Sequence, residues 1–159
     1  MSPMMDRRAW LAVLAGAAGG AVAIGVMELF AAHNAVPLMA VPFGTSIVLV
    51  LGTPGVEAAQ PRALIGGHLV SSLVGLLVLG LAGPHAWAAA LAVGLAMVAM
   101  HLTRTFHPPA GIDPLLIVIN AMPWNFLAVP VAAGAVALTA FAYIWHLAMR
   151  RFNWPTRWW

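Results

Sequence analysis

The chain has 159 residues, of which 63% are hydrophobic and 7% are charged, and its formal net charge is +3 at pH 7. Soluble globular domains carry about a quarter charged residues, so this composition excludes that class and indicates a polytopic α-helical membrane protein. All seven basic residues are arginines, isolated or in pairs, a pattern typical of membrane topology signals rather than of a nucleic-acid-binding surface.

The residue types also limit the chemistry. The sequence has no cysteine, which excludes a disulfide framework and thiolate metal ligands. Its six histidines lack the HxxH or HExxH spacing of helical metal sites. No paired acid motif or nucleophile elbow is present. The sequence therefore predicts no enzyme activity, no cofactor and no metal.

The first apolar run covers residues 9–32 and follows Arg7 and Arg8, which resemble the positive region of a signal peptide. The run is long enough to cross a bilayer and lacks a clear small-x-small cleavage site, so it is interpreted as a retained first span. Glu28, near its far end, either has a function or reaches the membrane interface.

An interrupted segment comes next, at residues 36–52. Pro37 and Pro42 predict extended backbone in its first part, and Ser46 is a suitable N-cap for the short helix that follows. After a loop, residues 63–82 and 86–104 are predicted to be full spans, separated by a tight turn.

A second interruption lies at His107-Pro108-Pro109-Ala110-Gly111. Its two prolines remove two backbone donors and keep His107 extended, so a helix can resume only at or after Pro109. Broken backbone at membrane depth is tolerated only where it faces protein or a water-filled cavity. This stretch is therefore the default functional site. A short helix at 114–121 and a last span at 126–149 follow.

The two interruptions share a pattern. Pro42-Phe43-Gly44-Thr45-Ser46 and Pro109-Ala110-Gly111-Ile112-Asp113 both read P-x-G-x followed by an N-cap residue type. Paired interruptions of this kind point to a transporter binding site. The sequence thus predicts one all-α transmembrane domain, residues 1–159, made of two inverted repeats of helix, broken half-helix and helix (9–82 and 86–149). Coincidence in a Gly/Pro-rich membrane sequence is the alternative.

The arginines distinguish two topologies. If both interrupted segments cross the bilayer, there are six crossings, and Arg62, Arg104, Arg150, Arg151 and Arg157 lie on the same side as Arg7 and Arg8. If both segments re-enter, there are four crossings, and Arg62 and Arg104 lie on the opposite side. The positive-inside rule favours six crossings, with both termini cytoplasmic in a bacterial plasma membrane.

Several blocks of the sequence resemble one known family. They are Gly44-Thr45-Ser46-Ile47-Val48-Leu49, Gln60-Pro61-Arg62, Gly66-Gly67-His68-Leu69-Val70-Ser71 and the run Leu102-Thr103-Arg104-Thr105 before the HPPAG motif. In this order they resemble the HPP family of integral membrane proteins. That family includes plastid and cyanobacterial nitrite transporters, so the resemblance implies transport of a small anion. Asp113 departs from the family pattern, which usually has small or hydroxylic residues there, and leaves open a protonatable gate.

The expected mechanism uses the half-helix N-termini, which present unpaired N–H groups and partial positive charge to an anion between them. The residues expected to bind substrate are Gly44, Thr45, Ser46, His107, Ala110 and Gly111, and those expected to gate or attract it are Arg62, His68, Arg104 and Asp113. His107 or His68 would carry a coupled proton, because imidazole titrates near neutral pH.

Each site residue also has a structural interpretation. His107 would cap the broken backbone, His68 would hydrogen-bond between helices, and Gly66-Gly67 would be a packing face. The expected partners are the lipid bilayer and a small monovalent anion, most simply nitrite, with no nucleic acid. A homo-oligomer or a larger complex is left open. The alternatives are a non-transporting accessory subunit of a membrane complex and a passive channel for a small neutral solute.

Overall fold

The computed structural model describes residues 6–33, 41–149 and 153–158. All regular structure in these ranges is helical. The α-helices are α1 (Arg7–His33), α2 (Val41–Gly52), α3 (Pro61–Ala82), α4 (Ala86–Leu102), α5 (Ile112–Ile119) and α6 (Ala133–Met149). Short 3-10 turns precede α3 and α5, at Glu57–Ala59 and Pro108–Gly111, and a π turn at Leu127–Ala132 leads into α6.

Contacts between the first two helices show that they are antiparallel. Gly16 of α1 lies against the carbonyl of Leu51, near the end of α2, and a Cβ added to Gly16 would lie 2.6 Å from that oxygen. One turn further along α1, Gly20 faces Ile47, one turn back along α2. Small residues thus allow the two backbones to approach closely, as at many helix interfaces in membranes.

The last helix runs parallel to α2. Phe43, at the start of α2, packs on Gly134, at the start of α6. Towards the end of both helices, the His146 ring lies 3.1 Å from the carbonyl oxygen of Val50 and donates to it. These helices enclose an apolar core that includes Phe43, Ile47, Leu138 and Ala142.

The helices α3, α4 and α5 form the other side of the bundle. Gly83, with φ +76°, ends α3 and turns the chain back into α4. The segment that carries α5 is parallel to α3, because Gly67 meets His107 and Gly75 meets Pro114 further along. Val118 is packed with residues of α3 and α4 in a second apolar cluster.

The six segments therefore alternate in direction along the chain. Three described helices are long and apolar enough to cross a membrane by length and composition: α1, α3 and the stretch Leu127–Met149. The stretch Pro108–Ile119 has four residues of 3-10 turn and eight of α-helix, which rise about 20 Å in total. The extended residues 105–107 add about 10 Å to it, so the segment is long enough to cross a hydrocarbon core of about 30 Å.

All described arginines lie at one end of the bundle. Trp154 of the C-terminal tail donates to the carbonyl of Ala59 at 3.1 Å, and the Thr156 N–H donates to the Gln60 side chain at 2.9 Å. These bonds hold the tail against the loop between α2 and α3. We call this end, with the start of α1 and the end of α4, the arginine end. Arg150 and Arg151 lie outside the described residues.

Two predictions about the helix breaks need correction. The α2 helix begins at Val41, with Pro42 in its first turn, so residues 41–45 are helical rather than extended and Ser46 is not an N-cap. Proline is compatible with a first turn, which explains this early start. Residues 36–40, also predicted to be extended, lie outside the described residues.

The last span is not the unbroken helix that we expected from residue 126 onward. Val129 has φ −135° and ψ 115°, which are extended values inside the π turn. The cause is Pro130, whose ring disfavours the helical region for the residue before it. The HPP interruption was placed correctly: His107 is extended, with φ −128° and ψ 96°, and helical structure resumes one residue earlier than predicted, at Pro108.

The topology can be tested by labelling, because the chain has no native cysteine. We expect single cysteines at Glu57, Arg104 and Thr156 to react with a membrane-impermeant maleimide from one side, and cysteines at His85 and Trp124 to react from the other. Glu57 and Arg104 labelled from opposite sides, or from the same side as His85, would contradict the alternating arrangement.

Candidate functional site

The stretch from Thr105 to Gly111, here called the HPP segment, packs directly on α3 at a position where only glycine leaves enough space. A Cβ at Gly67 would lie 2.5 Å from the His107 Cβ and 2.8 Å from the Thr105 carbonyl oxygen, and a Cβ at Gly66 would lie 2.5 Å from the Thr105 Cγ2. Gly66-Gly67 is thus a packing face, and that interpretation of the pair is confirmed. The close approach carries His107 into the interior of the bundle.

His68 is the centre of a buried hydrogen-bonded network. It lies one residue after Gly67 on α3, and its ring is completely buried. Its Nε2 is 2.8 Å from the Ser46 Oγ on α2, and its Nδ1 is 2.7 Å from the Asp113 Oδ2 on α5. One imidazole ring therefore joins the two short helices, which are far apart in the sequence.

His107 extends the network towards the arginine end. Its Nε2 lies 2.9 Å from the same Ser46 Oγ, and its Nδ1 donates to the carbonyl of Ala58 at 2.6 Å. The Ser46 hydroxyl also lies 3.4 Å from the carbonyl of Pro42, a longer contact than either contact with histidine. The polar groups thus follow one another without a gap from the 3-10 turn before α3 to α5.

Asp113 ends the network. It lies in the first turn of α5, but Gly111 is the N-cap and no side chain caps this helix, so the prediction of Asp113 as an N-cap carboxylate is wrong. Its Oδ2 accepts hydrogen bonds from His68 and, at 3.1 Å, from Ser72. Its Oδ1 is buried and has no hydrogen-bond partner among the described residues. An unpartnered buried carboxylate oxygen is costly, so this atom calls for an explanation.

The connectivity Ser46–His68–Asp113 is that of the serine hydrolase triad. The setting differs, because Ser46 is completely buried and lies inside α2, where its hydroxyl also contacts a second imidazole. A nucleophile must reach its substrate and needs oxyanion donors beside it. The arrangement suits hydrogen bonding and proton movement between fixed groups rather than attack on an acyl group.

A polar cleft opens at the arginine end. It has a volume of about 230 Å³ and is lined by Gly55, Glu57, Gln60, Arg62, Ala63, Arg104, Thr156 and Arg157. Arg62 donates to the carbonyl of Thr103 at 3.1 Å, which holds its guanidinium beside the loop that carries Arg104. Among the described residues, three guanidinium groups and one carboxylate line this cleft. That carboxylate, Glu57, precedes Ala58 in the sequence, and Ala58 accepts the hydrogen bond from His107.

Arg104 adopts a backbone conformation that glycine usually fills. Its φ is +56°, in the left-handed region. The Thr105 N–H bonds back to the Met100 carbonyl and the Arg104 N–H bonds to the His101 carbonyl, which together close the end of α4. A residue other than glycine at such a helix end costs about 1–2 kcal/mol. Ala121, with φ +48°, is the other described non-glycine residue in this region, so the backbone conformation alone assigns Arg104 no role.

The remaining predicted residues lie around the network without joining it. Thr45 is exposed and borders an open, mostly apolar groove of about 650 Å³ together with Pro108 and Ile112. A Cβ at Gly44 or at Gly111 would meet no atom within 4 Å. The carbonyl of Ala110 accepts a 2.6 Å hydrogen bond from Ser71.

The relation between the two short helices corrects the expected mechanism. We expected their N-termini to face each other around an anion. Instead, Pro108 and Ile112 at the start of the second segment border the same groove as Leu49 and Gly52 in the last part of α2. The start of one short helix thus lies beside the end of the other, and His68 lies between them. The space between the two short helices near Ser46 is filled by the imidazole rings of His68 and His107, whose centres are 5.1 Å apart.

Sequence reasoning missed two residues, Ser71 and Ser72, as members of the site. They bind the HPP segment and Asp113, respectively. Their spacing from His68, at i+3 and i+4, puts all three on one face of α3. This spacing could have identified both serines from the sequence. The hydrogen bond from His107 to the Ala58 carbonyl could not be predicted, because the acceptor is a backbone group that every residue carries. Among the described residues, no group of three or more His, Asp or Glu side chains is arranged to hold a metal.

The fold and the site define the class: an all-helical polytopic membrane protein with short, proline-bounded helices packed around a buried polar network. The family model described as "HPP, transmembrane region" matches residues 3–155. The chain belongs to the HPP family.

Two curated relatives, both from Dictyostelium discoideum, are described only as transmembrane proteins. One is 39% identical over 125 residues, covering 74% of this chain and 40% of the relative. The other is 34% identical over 125 residues, covering 74% of this chain and 44% of the relative. The chain thus spans less than half the length of these curated relatives. No solved structure matches the chain.

The packing of the HPP segment on α3 gives a direct prediction. We expect Gly67→Ala to destabilise the protein by about 1–3 kcal/mol, because its methyl group would overlap backbone atoms that cannot move aside. Thermal unfolding in detergent measures this loss. Gly80→Ala on the same helix is the matched control: a Cβ there meets no atom within 4 Å, so the control should unfold at or slightly above the wild-type temperature. Equal behaviour of the two variants would contradict the close approach.

Proposed function

We propose that this protein is a membrane transporter of a small monovalent anion, and that nitrite is the first candidate. The observation that carries the proposal is the cleft lined by Arg62, Arg104 and Arg157. It is linked to the buried network through the loop before α3, in which Glu57 lines the cleft and Ala58 binds His107. Membership of the HPP family supports a membrane role of this kind. The substrate follows from the resemblance of the HPPAG region to nitrite-transporting members.

The cleft provides the electrostatics for anion capture. Among the described residues that line it, one carboxylate, Glu57, faces three guanidinium groups. A cleft dominated by one sign of charge raises the local concentration of the opposite ion and its rate of entry. Guanidinium groups also bind small oxyanions through paired hydrogen bonds. Arg62, Arg104 and Arg157 are therefore proposed to form the entry site.

The two halves of the chain support an alternating-access mechanism. The helices α1 and α3 run away from the arginine end and α2 runs towards it. In the second half the directions are reversed: α4 and α6 run towards the arginine end and α5 runs away from it, as an inverted pair requires. Ser46 is the sixth residue of Val41–Gly52, and Asp113 is the sixth residue of Pro108–Ile119. Both contact His68, one at each ring nitrogen. We propose that α2 and α5 are corresponding half-helices of an inverted repeat and that they move relative to each other around His68.

The proposed orientation follows from charge. Arginines are enriched on the cytoplasmic side of membrane proteins. The described arginines lie at the end of the bundle that carries the cleft. The cleft is therefore proposed to open to the cytoplasm, with both termini on that side of a plasma membrane.

The transport proposal is tested by flux into liposomes that contain the purified protein. We expect nitrite influx above that of protein-free vesicles, with a KM that increases about tenfold in Arg104→Gly, because one favourable charge contact of about 1.4 kcal/mol is lost. Glycine relieves the left-handed backbone at this position, so loss of transport cannot be ascribed to an unfolded protein. The difference in KM should shrink at high salt.

Arg7→Gln is the matched control, because it removes an arginine at the start of α1, outside the residues that line the cleft. Its KM should equal that of the wild type. An unchanged KM in Arg104→Gly would contradict the entry site. Flux of neutral solutes that ignores membrane potential would favour a passive channel, and absence of flux with stable co-purification of a partner would favour an accessory subunit.

A further inference from the structure

We propose that Asp113, His68, Ser46 and His107 form a relay that carries one proton between the middle of the bundle and the arginine cleft, and that the proton is a second substrate moved together with the anion. The proposal rests on the transport function proposed above and names its coupling ion. It is derived from the donor and acceptor capacity of each group at the observed distances.

The two ends of the network have a fixed polarity. The Ala58 carbonyl can only accept a hydrogen bond, so the Nδ1 of His107, 2.6 Å away, carries a hydrogen. At the other end, the Ser72 hydroxyl donates to the Asp113 Oδ2. Between these ends, the only adjustable hydrogens are those on Asp113, on His68, on the Ser46 hydroxyl and on the Nε2 of His107.

Two complete arrangements of these hydrogens satisfy the three links that join Asp113, His68, Ser46 and His107. In both, the longer 3.4 Å contact between Ser46 and the Pro42 carbonyl receives no hydrogen. In the first, Asp113 is protonated and donates to the Nδ1 of His68, the Nε2–H of His68 donates to Ser46, and Ser46 donates to the Nε2 of His107. In the second, Asp113 is a carboxylate that accepts from the Nδ1–H of His68, Ser46 donates to His68, and the Nε2–H of a cationic His107 donates to Ser46. The four groups carry zero net charge in both.

The first arrangement becomes the second by three proton transfers. The Oδ2–H bond of Asp113 breaks as an Nδ1–H bond forms on His68. The Nε2–H bond of His68 breaks as an O–H bond forms on Ser46, and the original O–H bond of Ser46 breaks as an Nε2–H bond forms on His107. Three bonds break and three form, no electrons are transferred to a redox partner, and one unit of positive charge moves from Asp113 to His107. The three donor–acceptor distances are 2.7, 2.8 and 2.9 Å, so no heavy atom needs to move.

The surroundings of the relay give it two ends with different environments. The Nδ1–H of His107 faces the carbonyl of Ala58, which follows Glu57 of the cleft in the sequence. For the relayed proton to leave a cationic His107, the Nδ1–H bond must break and the hydrogen bond to Ala58 must open, with water in the cleft or the bound anion taking the proton. Asp113 lies beside Ser72, near the middle of α3, and its Oδ1 has no hydrogen-bond partner among the described residues. A network that served only packing would satisfy this atom. An acceptor left unpaired at the inner end is what a site of proton arrival and departure requires.

The relay is tested in vesicles with two separate measurements. Exchange of ¹⁵N-nitrite against unlabelled nitrite, at equal concentration and equal pH on both sides, reports anion transport alone. A pH-sensitive dye inside the vesicles reports proton uptake during net nitrite influx. Protein-free vesicles give the background from nitrous acid that crosses the lipid by itself, and this background is subtracted from both measurements.

We expect Asp113→Asn, which keeps the size of the side chain but cannot exchange a proton, to lower the ratio of protein-dependent proton uptake to nitrite exchange about a hundredfold. Ser46→Ala, which removes the middle of the relay, should lower this ratio to the same extent. Ser71→Ala is the matched control: it also removes a buried hydroxyl that bonds to the HPP region, but this hydroxyl lies outside the relay. Its ratio of proton uptake to nitrite exchange should equal that of the wild type.

The possible results separate the two proposals. A wild-type ratio of proton uptake to nitrite exchange in Asp113→Asn, or nitrite exchange by the wild type without proton uptake, would overturn the relay and leave anion transport standing. Absence of nitrite exchange in the wild type would overturn the transport proposal. In that case infrared spectroscopy still tests the relay, because it needs no transport. The carboxylic-acid band of Asp113 is identified as the band that Asp113→Asn removes. It should change in intensity in Ser46→Ala, and an unchanged band would overturn the relay.

Discussion

The hydrogen bonds of the His68 ring are the constraint on which the rest of this structure depends. A completely buried imidazole must have partners for both ring nitrogens, because an unpaired buried polar group costs several kcal/mol. Here the partners come from two separate short helices, Ser46 from α2 and Asp113 from α5. A shift of either helix by one residue would turn its polar group away from the ring. His68 therefore sets the register of both helices against α3.

Small residues make this arrangement sterically feasible. Gly67 lets the HPP segment approach α3 until His107 reaches Ser46, and Gly75 does the same for Pro114, whose Cα would lie 2.8 Å from an added Cβ. In a bilayer, where helices gain little from hydrophobic burial against each other, such close contacts and interhelical hydrogen bonds are the main stabilising forces. The same two features, close backbone approach and a shared polar network, give the protein both its packing and its candidate chemistry.

Much of this architecture could be predicted from the sequence. Apolar runs and proline positions located the helices, and His107-Pro108-Pro109 located the break, because proline acts on its own neighbourhood in the chain. The identities of Ser46, His68, His107 and Asp113 as site residues also came from local motifs. Their partners could not be predicted, since Ser46 contacts His107 across 61 positions of sequence. The start of α2 was misplaced because Pro42 fits both an extended segment and a first helical turn.

The roles of the site residues changed for a related reason. A helix N-terminus looks like an anion site in the sequence, but side chains supplied by other helices decide whether it is open. In this structure the rings of His68 and His107 occupy the space near Ser46, and the arginines collect in a cleft at one end. In the function that we propose, anion capture belongs to the arginine cleft and proton movement to the histidine network, rather than to one shared site.

The most direct test of this account is ¹⁵N NMR of the histidine ring nitrogens in lipid bilayers, with His68 and His107 assigned by replacing each with glutamine. The account predicts a protonated Nδ1 on His107 and, in the single variant Ser46→Ala, shifted Nε2 signals for both rings, because one hydroxyl contacts both. An Nδ1 of His107 without a proton, or an Nε2 signal of either ring that Ser46→Ala leaves unchanged, would contradict the network on which the account is built.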